Sequence, residues 1–192
     1  KNAAQEIEYD FEDYFQLDET KKSIIKKDEN FFNAIDSCYN ILSLVRIFKG
    51  FGTAILKLIY QNILGGVVTN MKYYNSVDYE RLVDLSIVSN ILPLIENLTK
   101  TDLEIVNSLV NKTTIQFIEK IHEESNIERY EESLKKLLKT ISKESQYDKI
   151  LQSSREELKE ICIEIEPIIQ NDVSYGDFNL KNTTRELKEM LT

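Results

Sequence analysis

His122 is the only histidine in the chain, so most metal and nucleophile chemistry has little to build on. A multi-histidine metal site is excluded. A Ser-His-acid triad would depend on this one imidazole, which sits beside Glu123 and Glu124 in an acidic turn and reads as solvated. A di-metal carboxylate bundle would need Glu-x-x-His from two helices. The carboxylate pairs Glu123/Glu124, Glu131/Glu132 and Glu156/Glu157 fall on polar faces and read as solvated surface. Cys38 and Cys162 are 124 positions apart, which is neither a metal nor a redox spacing. They are candidates for one long-range disulfide or for two reduced core thiols. No phosphate-cradling GxxxxGK[ST], GxGxxG or GxSxG occurs. Gly50-Phe51-Gly52 is a bare GxG with no strand pattern before it. The sequence therefore offers no catalytic, cofactor-binding or metal-ligating residue, and the expectation is a protein that is not an enzyme, with no cofactor and no small-molecule substrate.

The residues with another kind of chemistry lie between Arg46 and Val68. Four of the chain's five glycines are there: Gly50, Gly52, Gly65 and Gly66. From Ser37 to Val77 there is no Asp or Glu, while Arg46, Lys49, Lys57 and Lys72 give the segment a charge of +4. The whole chain carries −9, so the remainder carries −13. On one continuous helix, Arg46, Lys49, Thr53, Lys57 and Gln61 would form a basic stripe. Phe48, Phe51, Ile55, Leu58, Ile59 and Ile63 would lie around the other side. That is the composition of an element that meets a membrane surface or a protein partner. The plainer alternative is a core helix whose bases neutralise acidic neighbours. Arg46, Phe48, Lys49, Gly50, Phe51, Gly52, Lys57, Gly65 and Gly66 form the candidate site.

The elements that would position this site are helices. Gly and Pro are scarce, five and two residues, too few for the turns of a many-stranded sheet. Apolar residues recur at three- and four-residue spacings and predict four principal helices near 31–64, 77–98, 101–124 and 127–169. Asp28 is the expected cap of the first. Gly50 and Gly52 are expected to bend or split it, and Gly65-Gly66 to end it. Pro93 should kink or end the next. Thr101-x-x-Glu104, Ser125-x-x-Glu128 and Thr183-x-x-Glu186 read as capping boxes, the last opening a short C-terminal helix. Turns are expected near 66–77, 98–101 and 122–127. The helical spacing slips at residues 142–146, which implies a bend or loop there. The architecture that fits is all-α, an antiparallel bundle in one domain of 1–192, with a short α-solenoid as the alternative. Residues 1–28 form an acidic-aromatic segment, with Tyr9, Phe11, Tyr14 and Phe15 set among acids. This segment either docks as a short helix or engages a partner. Residues 171–192 form a loop and the short last helix.

Net charge argues against a general nucleic-acid binder, whose footprint would be basic. The longest uncharged run, Leu58–Met71, spans 14 residues, where a membrane-crossing helix needs about 20. The chain begins at Lys1, which reads as a processed or excised form. Its richness in Asn, Ile, Lys, Tyr and Glu, its size and its four expected helices resemble the small secreted helical-bundle proteins that malaria sporozoites need for host-cell traversal. That resemblance implies microneme storage, secretion and action at host membranes, and it assigns no residue roles. The expected function is a secreted, non-enzymatic bundle acting at a membrane or on a surface partner. The alternative is a cytoplasmic adaptor or scaffold that binds a protein or peptide.

Overall fold

The structure is a computed structural model that describes residues 23, 25–74, 76–123, 127–141, 152, 154, 157, 160 and 178–192. Every regular element among the described residues is a helix. In chain order these are α1 (Glu29–Arg46), α2 (Ala54–Tyr73), α3 (Tyr79–Asn90), α4 (Leu92–Ile95), α5 (Lys100–Val110), α6 (Thr114–Glu123), α7 (Ile127–Ile141) and α8 (Lys181–Leu191). The N-terminal acidic-aromatic residues, Ser125, the slip at 142–146, Cys162, Pro167 and the loop from residue 171 to residue 177 lie outside the described residues.

Helix α1 starts where Asp28 predicts. The Asp28 carboxylate accepts the Asn30 amide at 3.0 Å, satisfying a donor that no earlier turn can reach. Tyr79 at the head of α3 donates its hydroxyl to the other Asp28 oxygen, so one carboxylate ties together two helix starts. Phe31, Ile35, Cys38, Leu42 and Val45 then recur on one face and are buried. Phe31 meets Tyr60 of α2 edge-on, with ring centroids 5.8 Å apart.

Helix α3 is the hub, packing against α1, α2, α4 and α8. Its approach to α2 explains why Gly65-Gly66 does not end that helix as the sequence suggests. The helix runs on to Tyr73. A Cβ at Gly66 would stand 2.2 Å from Leu82 Cδ2 and 3.2 Å from Leu82 Cγ, so glycine here lets Leu82 seat against the α2 backbone. Glycine's usual helix penalty of about 1 kcal/mol is offset by that contact.

The α3–α8 contact rests on a buried acid. Asp84 is 3% exposed, and its carboxylate accepts four hydrogen bonds from the start of α8. The donors are the Asn182 amide (2.8 Å), the Asn182 side-chain amide (2.9 Å), the Thr183 amide (2.8 Å) and the Thr183 hydroxyl (2.7 Å). Leu180 occupies the cap position of α8 and offers no side-chain acceptor. Asp84 therefore caps α8 from another helix, with its charge at the positive end of the helix dipole. Thr183 and Glu186 are not the local capping box that the sequence suggests. Thr183 is buried inside the first turn and donates to Asp84. The same contact puts Asp84 and Ser86 inside and leaves Leu85 between them 41% exposed.

Three further boundaries differ from the sequence expectations. Helix α5 is capped by Thr99, whose hydroxyl accepts the Asp102 amide at 3.2 Å, not by Thr101. Thr101 and Glu104 face α7 instead, meeting Ser133 and Tyr130. The expected helix over 101–124 is cut at 111–113. There Lys112 has φ 55°, and the Thr113 and Lys112 amides bond back to the Ser108 and Leu109 carbonyls. That is a Schellman stop with lysine where glycine usually sits. Ser154, inside the helix expected over 127–169, is non-helical and forms a reciprocal capping box with Glu157. The break near Pro93 falls as expected, at Ile91 between α3 and α4.

The Gly66–Leu82 contact gives a test whose sign reverses. Gly66→Ala should lower stability by roughly 1 kcal/mol, because displacing Leu82 outweighs the gain in helix propensity. In a Leu82→Ala background the same change should stabilise, and urea unfolding of the four proteins measures both effects. A stabilising Gly66→Ala in the parent chain would contradict the packing role.

Candidate functional site

The candidate segment is not one helix. Residues 47–53 form an elbow between α1 and α2, so the predicted continuous stripe of Arg46, Lys49, Thr53, Lys57 and Gln61 does not exist. Helix α1 unwinds through Ile47 and Phe48, whose amides reach back three residues to Leu44 and Val45, and through Lys49, which also bonds to Val45. Glycine does not fill tight space at the turn itself. Neither Gly50 nor Gly52 has an atom within 4 Å of an added Cβ, and neither adopts a left-handed φ. Tyr39 pins the elbow from beneath, its hydroxyl donating to the Leu56 carbonyl at 3.1 Å across the turn.

Each candidate residue can now be placed. Arg46 is exposed in the last turn of α1, with its guanidinium over the Phe51 ring at 5.6 Å. Phe48 and Phe51 are half-buried, packed against the core on one side. Lys49 is half-exposed beside them, and Gly50 and Gly52 are exposed. Lys57 is exposed on α2. Gly65 and Gly66 lie mid-helix, at least two turns away from the elbow. The elbow thus brings together Arg46, Phe48, Lys49, Gly50, Phe51 and Gly52, leaves Lys57 on the first turns of α2, and assigns Gly66 to packing against α3.

The apolar residues expected on the far side divide into two groups. Ile59, Tyr60 and Ile63 are core, but Leu58 is 48% exposed. With Ala54, Asn62, Gly65, Thr69 and Tyr73 it lies on the outer face of α2, and none of these six is charged. Thr69 turns its hydroxyl back onto the Gly65 carbonyl at 2.8 Å, which reduces its polarity toward solvent. Spacing alone missed this uncharged face, because Leu58 fits an inward apolar pattern. The usable signal was the charge-free run itself. Helix α2 also starts with no side-chain cap and no acid in its first turn, so its dipole adds positive potential at the elbow.

Four bases elsewhere meet acids. Arg129 meets Glu104, Lys135 meets Glu131, and Arg185 meets Glu186. Lys136 reaches the buried Asp102 at 2.9 Å. Arg46 and Lys49 have no ion-pair partner among the described residues.

No three His, Cys, Asp or Glu side chains cluster as a metal site among the described residues. No described helix is long and apolar enough to cross a membrane. The chain matches no family model, and no curated protein or solved structure is significantly similar to it.

Cys38, on the buried face of α1, is a free thiol with its Sγ 4.0 Å from the Val83 carbonyl of α3. Cys162, its candidate partner, lies outside the described residues. Burial pushes the Cys38 pKa up to about 12, against a smaller opposing effect of Ser86. Tyr39 is also raised, first by burial, then by Tyr60, Cys38 and Asp36. Tyr79 is raised by burial and by its bond to Asp28. All three groups are held neutral in the fold. Their contribution to stability is complete below the ordinary thiol value near 9 and is lost as pH rises towards 12. Stability to urea should fall over that window, and Cys38→Ala should make the fall shallower. Parallel pH profiles for the two proteins would contradict a thiol held neutral by burial.

Proposed function

We propose that this chain is a non-catalytic antiparallel helical bundle that lays its α1–α2 elbow and the outer face of α2 on an anionic membrane surface. The observation that carries the reading is the grouping of Arg46 and Lys49, which have no ion-pair partner among the described residues, with half-exposed Phe48 and Phe51 at one corner. Cations reach for lipid phosphates while the rings settle at the boundary between headgroups and acyl chains. The uncharged face from Ala54 to Tyr73 lets α2 lie along that boundary without burying a charge. Tyr73 and Tyr74, 66% and 72% exposed, offer further aromatic contacts at the other end of α2. The setting we propose is the one the sporozoite resemblance implies, action at a host membrane after secretion. An acidic protein surface is the second reading, favoured by the same exposed tyrosines, a residue type enriched in protein interfaces.

Vesicle sedimentation tests the proposal. The full chain should bind vesicles containing phosphatidylserine more tightly than neutral ones, and salt should weaken binding. A basic residue near such a surface contributes about 1 kcal/mol. Lys49→Glu should therefore weaken binding by about tenfold or more, and Leu58→Asp should weaken it at every salt concentration. Circular dichroism checks that both variants remain folded. Equal binding to neutral and anionic vesicles, or no loss with Lys49→Glu, would contradict the reading.

A further inference from the structure

We infer that Asn97 is a modification site, the asparagine at which this chain carries an N-linked glycan. The acceptor pattern is Asn followed two positions later by Ser or Thr, with no Pro between. It occurs at Asn97-Leu98-Thr99, Asn111-Lys112-Thr113 and Asn182-Thr183-Thr184. The pattern alone does not choose among the three, but the fold does. A glycan replaces one of the two hydrogens on the Asn side-chain nitrogen and adds a bulky hydrated group. The folded chain accepts it only where that nitrogen reaches solvent and its hydrogens are not already committed.

Two of the three positions fail this requirement. Asn182 donates its side-chain amide to the buried Asp84 at 2.9 Å, within the contact that joins α8 to α3. The Asn111 side-chain nitrogen donates to the Asn107 carbonyl at 2.9 Å and to the Asn107 side-chain oxygen at 2.8 Å, which commits both hydrogens. The Asn111 side-chain oxygen accepts the Thr184 hydroxyl of α8 at 2.8 Å. A sugar on either nitrogen would disturb the contacts that seat α8. Asn97 differs on each count. It is exposed in the turn between α4 and α5, and its side chain has no hydrogen-bond partner among the described residues. The turn is fixed without it. The Leu98 amide donates to the Ile95 carbonyl at 3.0 Å, Leu98 packs against the core, and Thr99 caps α5.

The inference rests on the secretion contained in the proposed function, because the donor is an oligosaccharide carried on a lipid pyrophosphate in secretory compartments. In the transfer, the Asn97 nitrogen bonds to C1 of the sugar and the bond from C1 to the pyrophosphate oxygen breaks. The lipid pyrophosphate leaves, and one amide proton passes to a base of the transferase.

The full chain, secreted behind a cleavable leader from a cultured eukaryotic cell line, provides the test. The folded monomer is isolated and treated with peptide N-glycosidase, which leaves an aspartate wherever a glycan stood. Peptide mapping should find conversion at position 97 in most molecules and none at 111 or 182. Asn97→Gln should abolish the glycan and leave the circular dichroism spectrum unchanged. An unmodified Asn97 in the secreted monomer, or glycan at 111 or 182 in that folded species, would overturn the inference. Vesicle sedimentation of the same preparations keeps the two readings apart. An occupied Asn97 with no binding to anionic vesicles would uphold the site and overturn the membrane reading, and binding with Asn97 unmodified would do the reverse.

Discussion

A carboxylate buried between helices must find its hydrogen bonds in protein, and Asp84 finds them all at one place. Two backbone amides, a side-chain amide and a hydroxyl at the start of α8 converge on it. Those amides have no partner earlier in their own helix, and Leu180 cannot supply one. Each side of the contact would be costly without the other: an unpaired buried charge on α3, orphaned donors on α8. The pairing joins residues 98 positions apart and fixes the rotation of α3. With Asp84 turned toward α8, Val83 and Ile87 fall into the core and Leu85 faces out.

The orientation of α3 then determines what the first two helices can bury. Cys38 of α1 packs at the Val83 carbonyl, and Leu82 seats on Gly66 of α2. Tyr39 bonds across to Leu56, so the inner side of the α1–α2 corner is closed by its own contacts. What is left outside is the elbow, with Arg46 over Phe51, Lys49 beside it and the uncharged ridge of α2 running away from it. This exposed corner is the remainder of a packing solution centred elsewhere, and its chemistry comes from the absence of acids between Ser37 and Val77.

The sequence was legible where local chemistry dominates. Helical class followed from the three- and four-residue spacing and the scarcity of Gly and Pro. The Asp28 cap and the break near Pro93 were visible because both act within a turn of their own position. It was less legible where a distant residue decides. Gly65-Gly66 looks like a helix stop, and only Leu82 shows why a glycine is kept inside α2. Thr183-x-x-Glu186 has the spacing of a capping box, yet Asp84 performs the capping. Lys112 carries no turn signal, since the left-handed stop was written without glycine. For the candidate site, the residue types were legible and the geometry was not. Arg46, Lys49, Phe48 and Phe51 do come together, but around an elbow, and Lys57 and the glycines at 65 and 66 belong to other surfaces.

Native-state hydrogen exchange at the amides of Asn182 and Thr183, compared between the parent chain and Asp84→Asn, tests the central claim most directly. Asparagine keeps the shape but replaces one acceptor oxygen with a donor nitrogen that faces other donors. These two amides depend on Asp84 alone, so they should be protected in the parent and exchange rapidly in the variant. Global stability should fall by about 3 kcal/mol or more, as when one partner of a buried charged contact is removed. Amides that are unprotected in the parent chain, or protection and stability unchanged by Asp84→Asn, would contradict the account.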